Sequence, residues 1–227
     1  MRSELDRYRT QLTNQAVIRE VGACENARII DAGCGEGYLS RLLAEQGAEV
    51  TGIDSCLELI EAARGISEPR VQYLHGSVES VPDDDSSYDV VVCNHLVNDL
   101  EFPDRSFNEF SRILRVGGRI IILMLHPCFY GPRAESVAPK RGELDVTQYF
   151  STRPMSHPFR VAGISSPSEV KIWLRPLESY MKMLFAAGFR LTGLSEPHPP
   201  RELLESDDWW GDNFRRPLFL LIAGEKI

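Results

Sequence analysis

The stretch "RIIDAGCGEGYLSRLL", residues 28–43, decides the fold. Two isoleucines lead into Asp31, three glycines follow at alternate positions, and a leucine-rich segment comes next. The apolar start predicts a buried strand over Arg28–Ala32, and the leucine spacing predicts a helix over Tyr38–Gln46. Because a glycine-rich turn between a strand and a helix gathers backbone N–H groups at one point, this loop is predicted to hold a nucleotide.

Strand and helix patterns alternate along the following residues. Further strands are predicted over 48–54, 71–77, 87–94 and 119–125, and helices over 55–65 and 106–118. Regularity returns late in the chain with a helix over 176–189 and two strands over 189–196 and 216–226. Strands that alternate with helices indicate βαβ units and a parallel sheet.

The segment that follows the fifth strand has a different character. Residues 127–176 contain seven of the 14 prolines and show little periodicity. An irregular segment of such length is usually functional or disordered. We therefore expect one domain over 1–227, in which 28–125 binds the nucleotide, 126–175 covers a substrate and 176–227 closes the sheet.

Composition narrows the class of partner. The formal net charge is −8, and no run of lysine or arginine offers the basic face that nucleic-acid binding needs. The N-terminus is charged where a signal peptide is apolar, and no apolar run approaches the ~20 residues of a membrane span. The five cysteines form no C-x-x-C pair, so we expect no zinc site. These features predict a cytoplasmic protein acting on a small molecule, with neither a nucleic-acid nor a membrane partner, and they leave the oligomeric state open.

The glycine spacing distinguishes between two cofactors. The dinucleotide fingerprint is G-x-G-x-x-G, whereas Gly33, Gly35 and Gly37 stand at alternate positions here. The bulky Tyr38 occupies the place of a small residue, and Glu36 puts negative charge where a pyrophosphate would sit. Both details disfavour NAD, and an NAD-dependent oxidoreductase is the less favoured alternative.

Three stretches carry a resemblance to a known family. "IIDAGCGEGYLSRLLAEQGAEVTGID", "YDVVVCNHL" and "EFSRILRVGGRIIIL" resemble the class I S-adenosylmethionine-dependent methyltransferases, in the expected order. The likeness is good over 28–125 and weaker over 172–227. It implies an α/β, Rossmann-like, doubly wound sheet of seven strands, five parallel plus an antiparallel pair, with an irregular substrate-covering insertion after strand five. The implied activity is methyl transfer from S-adenosylmethionine to oxygen, nitrogen or carbon of a small molecule, for example in natural-product or secondary metabolism.

The cofactor of that family suits the acidic residues of the loop. It has no phosphate, its methionine part carries an ammonium and a carboxylate, and its sulfur is cationic. Asp54 ends the second strand, where a carboxylate can accept hydrogen bonds from both ribose hydroxyls or, alternatively, cap the next helix. By resemblance the adenine lies at Ser77, where the family commonly has an acid. The predicted cofactor set is Asp31, Gly33, Cys34, Gly35, Gly37, Tyr38, Asp54, Ser55, Ser77, Val78 and Asn94.

The acceptor is expected where the fourth and fifth strands end, because ligands of open α/β sheets bind at that edge. His126 is the preferred catalytic residue, since a neutral imidazole can accept a proton near pH 7. Each candidate also has a structural alternative, such as packing, helix capping or a bond to the next loop. The predicted catalytic residues are His126, His95 and Asp99, and the predicted substrate contacts are Tyr149, His157 and Arg175.

Two further alternatives concern function and the late loop. A non-catalytic or repurposed member would keep the cofactor fold and perform no methyl transfer. A methyltransferase that flips a base often has an Asn/Asp-Pro-Pro-aromatic tetrapeptide after the fourth strand, whereas this chain has Asn-His-Leu-Val at 94–97. Trp209 and Trp210 are predicted either to cover an aromatic acceptor or to pin their loop to the sheet.

Overall fold

A seven-stranded sheet organises the computed structural model, which describes residues 7–66, 68–130, 148–161 and 164–227. Its strands lie in the order β3-β2-β1-β4-β5-β9-β8. A separate antiparallel hairpin consists of β6 and β7. The strands are β1 (Arg28–Ala32), β2 (Glu49–Asp54), β3 (Val71–His75), β4 (Tyr88–Asn94), β5 (Leu114–Leu125), β6 (Arg153–Val161), β7 (Ile164–Leu174), β8 (Phe189–Ser195) and β9 (Phe219–Lys226).

Helices cover both faces of this sheet. A π-helical turn over Arg9–Thr13 leads directly into the first α-helix. The α-helices are α1 (Asn14–Val21), α2 (Tyr38–Glu45), α3 (Leu57–Arg64), α4 (Pro103–Ile113), α5 (Leu177–Ala186), α6 (Arg201–Ser206) and α7 (Asp208–Asn213). Among the described residues, none of these helices combines the length and the apolar character needed to cross a bilayer.

The strand directions confirm the predicted topology. Strands β1 to β5 pair in parallel, and β9 pairs antiparallel with both β5 and β8. Strand β8 therefore runs in the same direction as β5, and its carboxyl end reaches the same edge of the sheet. Pro217 precedes β9 by two residues, so it removes no donor from the sheet.

The apolar runs of the central strands are buried on both faces, which is typical of parallel sheets. Successive residues point to opposite sides, so Ile29 packs with α1 and α2 while Ile30 packs with α4 and α5. Phe107 and Phe110 of α4 are fully buried on the second side. Burying each of these rings contributes roughly 1.5–3 kcal/mol, so the central strands and their helices form the stable part of the fold.

Two local expectations differ from the structure. The helix predicted over 106–118 ends at Ile113, and the chain extends from Leu114 because it must join β5. The covering segment was expected to be irregular, but β6 and β7 form a paired hairpin within it. Proline did not prevent this pairing, since a two-stranded hairpin has two edges where a missing donor costs little.

The side chain of Asn98 joins the sheet to the elements around it. It is 4% exposed, and its Oδ1 accepts a hydrogen bond of 3.0 Å from the backbone N–H of Leu125. Its carbonyl accepts a 2.6 Å bond from the N–H of Trp173 in β7, and its Nδ2 donates over 3.4 Å to the Tyr180 hydroxyl. One residue thus fixes the end of β5, the hairpin and α5 together.

We predict that Asn98→Ala lowers the free energy of unfolding by about 1–3 kcal/mol, because the buried N–H of Leu125 loses its acceptor. Denaturant unfolding measures the change. Tyr180→Phe is the matched control, since it removes the long bond to Nδ2 and an interaction with Arg175 but keeps the Leu125 contact, and it should cost less. Equal losses in the two variants would show that the Leu125 contact does not carry the effect.

Candidate cofactor and active site

The glycine loop is fastened to the end of the neighbouring strand β2. The N–H groups of Gly33 and Cys34 donate to the carbonyl of Ile53 over 2.8 and 3.1 Å. The N–H of Gly35 donates to Oδ2 of Asp54 over 2.8 Å. The predicted loop residues and the predicted ribose acceptor are therefore in direct contact.

The glycines of this loop have different structural roles. Gly35 has a φ of +56°, and the first atom that an added Cβ would meet is 4.0 Å away in Leu59, so its face is open to a ligand. Gly37 has a φ of +76°, and an added Cβ would lie 2.2 Å from the hydroxyl of Tyr73. That hydroxyl donates to the Gly37 carbonyl over 3.2 Å. Gly37 is thus required by packing, whereas Gly35 leaves room beside the loop.

Asp54 also fixes the turn that leads into α3, whose N-cap residue is Cys56. Its Oδ1 accepts a 2.8 Å bond from the N–H of Cys56. Each carboxylate oxygen has a second lone pair, so this contact leaves capacity for hydroxyl donors. The turn contact and ribose binding are compatible at this carboxylate.

Asp31 lies buried at the end of β1. Its Oδ2 accepts a 2.6 Å bond from the hydroxyl of Ser40. The pKa of this carboxyl is raised to about 6, chiefly by burial and also by the charges of Asp54 and Glu36, while the hydrogen bond from Ser40 opposes the shift. At pH 7 the carboxyl is therefore mostly ionised, and it can stabilise a nearby cation.

The turn after β3 is predicted to contact adenine, and the side chain of Ser77 is its polar group. The hydroxyl of Ser77 accepts a 3.1 Å bond from the N–H of Glu79, and Val78 is buried in the core. Ser55 is exposed, and its carbonyl is 3.1 Å from Nε2 of His75. The roles of Ser55, Ser77 and Val78 toward a cofactor stay predictions.

The end of β4 carries two unusual features. The Oδ1 atom of Asn94 is buried and has no hydrogen-bond partner within the described part of the chain. His95 has a φ of +61°, an uncommon conformation for any residue other than glycine, and such residues cluster at functional sites. Burial lowers the pKa of His95 to about 4, and the positive charge of Arg9 contributes to this shift. The imidazole is neutral at pH 7, and its ring contacts Phe219 at 5.4 Å between centroids.

His126 follows β5 and is 3% exposed. Its Nδ1 accepts a 3.1 Å bond from the N–H of Cys128, so the neutral ring carries its proton on Nε2. Nε2 lies 2.9 Å from Oε1 of Glu196, which follows β8. Burial lowers the pKa of His126, and Glu196 opposes the shift. Both ring nitrogens are occupied, so a role as proton acceptor requires one of these bonds to open or the pair to act together.

Sequence reasoning missed Glu196, because its distance from His126 along the chain gives no local signal. A surface depression of about 350 Å³ lies beside this carboxylate. It is lined by Glu196, His198, Phe214, Arg215, Arg216 and Pro217.

Two of the predicted substrate contacts, Tyr149 and Arg175, have clear structural roles. The hydroxyl of Tyr149 accepts a 3.1 Å bond from the N–H of Leu177 at the start of α5. Arg175 is buried, and its Nη2 donates over 2.7 Å to each of the carbonyls of Leu100 and Glu101. Its Nη1 has no hydrogen-bond partner within the described residues.

Asp99 and His157 are the remaining candidates for the acceptor side. Asp99 is exposed in the turn after β4, where its N–H donates to the carbonyl of Leu96. The side chain of His157 lies outside the described residues. Substrate and catalytic roles for these positions stay predictions.

Trp209 and Trp210 pack against the N-terminal segment, which is the second of their two predicted roles. Trp210 is 1% exposed and its ring meets Tyr8 edge to face at 5.9 Å. Trp209 contacts the same tyrosine at 5.0 Å. The loop after β8 is thereby pinned to the helical segment at the N-terminal side.

Comparisons with known proteins address the family. Residues 30–122 match the family described as "Methyltransferase domain". A relative named ubiquinone biosynthesis O-methyltransferase, from Xanthomonas oryzae pv. oryzae, is 31% identical over 156 residues, covering 67% of this chain and 62% of the relative. The chain spans between 44% and 62% of the length of the first curated relatives it matches.

Solved structures share the whole fold. An S-adenosylmethionine dependent methyltransferase from Mesorhizobium loti superposes with a TM-score of 0.77 at 21% identity, covering 94% of this chain and 95% of that one. The [4+2]-cyclase SpnF gives a TM-score of 0.63 at 18% identity, with 94% and 80% covered.

The described residues fit the cofactor of this family. The open face of Gly35, the carboxylate of Asp54 and the unpartnered Oδ1 of Asn94 lie along the carboxyl ends of β1, β2 and β4. They offer polar partners to a nucleoside and an ammonium group without presenting an anion site for a pyrophosphate. Family match, sheet order and site chemistry agree: the chain belongs to the class I S-adenosylmethionine-dependent methyltransferases.

Proposed function

We propose that this protein transfers the methyl group of S-adenosylmethionine to a small-molecule acceptor. The observation that carries the proposal is the contact between Gly35 and Asp54, which sets an open glycine face beside a carboxylate suited to ribose. When bound, the cofactor supplies an electrophilic methyl group on a cationic sulfur. The protein has to hold the acceptor atom in line, exclude water and accept any proton released.

The acceptor is proposed to be a small molecule with a hydroxyl group. The name of the Xanthomonas oryzae relative, an O-methyltransferase of ubiquinone biosynthesis, supports this class. The hydrogen-bonded pair of His126 and Glu196 supports it too, because a carboxylate held by an imidazole N–H can accept a hydroxyl proton. In this proposal residues 28–125 bind the cofactor, 126–175 cover the acceptor and 176–227 supply Glu196.

The first prediction concerns cofactor choice. Calorimetry should detect binding of S-adenosylmethionine and S-adenosylhomocysteine and no binding of NAD, because the loop offers carboxylates where a pyrophosphate would need N–H groups. Binding of NAD with no binding of the sulfonium ligand would overturn the proposed function. Formation of S-adenosylhomocysteine with ring-hydroxylated acceptors then tests catalysis, and tight binding without turnover of any acceptor would favour the repurposed alternative.

The second prediction is that Asp54→Ala weakens S-adenosylhomocysteine binding by about tenfold or more. Hydrogen bonds to a charged acceptor contribute about 1.5–3 kcal/mol each, and two ribose hydroxyls are involved. Affinity for 5′-methylthioadenosine, which retains the ribose, should fall similarly. Glu61→Ala, an exposed acid on α3, is the charge-matched control, and thermal unfolding verifies the fold. Unchanged affinities in Asp54→Ala would leave Asp54 with its bonds to Gly35 and Cys56 alone.

The third prediction is that His126→Ala and Glu196→Gln each lower turnover at least about tenfold. A positioned proton acceptor contributes ~10²–10⁴-fold, so a tenfold loss is the minimum expected. Cofactor affinity should be unchanged in both. Because burial holds the pKa of His126 below its usual 6.5, wild-type turnover should rise with pH below that value. The control is Glu205→Gln on the exposed face of α6. A normal rate in both variants would assign the pair to structure, and His95 or Asp99 would be tested next.

A further inference from the structure

Glu196 borders a surface depression of about 350 Å³ whose other lining residues take no part in the proton transfer proposed above. Pockets that hold small ligands range from roughly 300 to 1,000 Å³, so this one is large enough for a compound with one ring. It lies at the edge of the sheet where β8 ends and β9 begins, the same edge at which His126 follows β5. Its lining therefore indicates which acceptors can reach Glu196.

The carboxylate of Glu196 offers this depression a hydrogen-bond acceptor. Its side chain is 46% exposed, while that of His126 behind it is 4% exposed. His126 contacts only Oε1, so the second oxygen of the carboxylate can accept a bond from a ligand. The carbonyl of Glu196 lies 3.2 Å from Nδ1 of His198, and the prolines at 197, 199 and 200 restrict the backbone around it. The carboxylate is therefore held in place before a ligand binds.

Phe214 and Pro217 give the depression an apolar wall. Phe214 is half-buried, and the centroid of its ring lies 5.5 Å from that of Tyr8 and 5.3 Å from that of Trp210. Its backbone N–H donates over 2.9 Å to the carbonyl of Trp210. Because these contacts hold the Phe214 ring in place, its exposed part can pack against a flat ring of a ligand. The wall favours an aromatic ring over a flexible chain, which would have to be ordered on binding.

Two guanidinium groups, those of Arg215 and Arg216, also line the depression. Nε of Arg216 donates over 3.1 Å to the carbonyl of Phe129, whose ring centroid lies 4.7 Å from that of His126. Arg216 is thereby held beside His126. Within the described residues Glu196 forms its ion pair with His126 and with neither arginine. The two positive charges therefore stand in the depression without being neutralised by its carboxylate.

Arg215 can turn toward a ligand at small cost. Its Nη2 lies 2.9 Å from Oδ1 of Asp212, and the side chains of this pair are 64% and 47% exposed. Exposed ion pairs contribute little to stability, because water and salt screen them. The whole chain has a net charge of −8, so two adjacent arginines beside an open depression form a local site for an anion. A guanidinium can donate two parallel hydrogen bonds to a carboxylate, which makes a carboxylate the best-matched anion.

We propose that the acceptor is a hydroxylated aromatic acid, whose carboxylate is bound by Arg215 and Arg216 while Glu196 receives the hydroxyl proton. The proposal rests on the proposed function and names its substrate class. The acceptor oxygen forms a bond to the methyl carbon as the bond from that carbon to sulfur breaks, and the electron pair of the broken bond stays on sulfur. The proton released from the hydroxyl passes to the carboxylate of Glu196. The ring that joins the two polar groups packs against Phe214.

The test is a double-mutant cycle between protein and ligand. Calorimetry with S-adenosylhomocysteine present compares salicylate, protocatechuate and gallate with their neutral amides, in the wild type and in a double variant with Arg215→Gln and Arg216→Gln. We expect at least one acid to bind the wild type about tenfold or more tightly than its amide, and the double variant to lose this preference. Affinity for the amides should change little. In turnover with S-adenosylmethionine, the double variant should raise KM for that acid and leave kcat nearly unchanged, because the arginines hold the acceptor and do not take its proton.

Controls separate anion binding from a structural role. Arg201→Gln removes the same charge from an exposed position of α6 and should leave all affinities unchanged. Arg215→Gln alone keeps the bond between Arg216 and Phe129 and serves if the double variant fails to fold, with a smaller loss expected. Equal affinity of the wild type for every acid and its amide, or an equal loss for both in the variants, would overturn the inference. Failure of the wild type to bind S-adenosylhomocysteine would instead overturn the proposed function.

Discussion

Two backbone N–H groups converge on the carboxylate of Asp54, and the cofactor side of the structure depends on this convergence. One comes from Gly35 in the glycine loop and the other from Cys56 before α3. The carboxylate thereby joins the ends of β1 and β2 through one side chain. An aliphatic residue at this position would leave both donors without an acceptor, while Gly33 and Cys34 would still hold the loop to Ile53 of β2. Strand pairing brings these strand ends together, and the carboxylate of Asp54 fixes Gly35 beside them.

Much of the fold of the cofactor-binding part, residues 28–125, could be predicted because the residues that specify each element are neighbours in the sequence. The run from Asp31 to Gly37 specifies a strand, a turn with positive φ and a helix, and periodicity alone places the parallel strands. The prediction was wrong about the end of α4, where the sequence continues a helical pattern as far as Gly117. Pairing with β4 overrides that pattern and pulls Leu114 into the sheet. Local propensity decides an element only where the tertiary contacts do not compete with it.

The acceptor half was less predictable because its contacts join distant parts of the chain. A bond from His126 to the next loop was among the alternatives, and Cys128 makes it, but nothing near His126 indicates that Glu196, seventy residues later, would take its other ring nitrogen. Asn98, next to the predicted catalytic residue Asp99, joins the end of β5 to the hairpin through hydrogen bonds to residues distant in sequence. In each case the decisive partner lies far away in sequence.

The placement of β9 between β5 and β8 has a consequence for the order of assembly. Strand β8 precedes β9 in the chain, yet it reaches the sheet only through β9. The five parallel strands can close while β8 still lacks its neighbour, so the glycine loop and Asp54 can assemble first. Glu196, which follows β8, reaches His126 only after β9 has paired with β5 over seven residues. During synthesis, the contact between His126 and Glu196 therefore has to wait for β9, whose residues are made long after those of the glycine loop and Asp54.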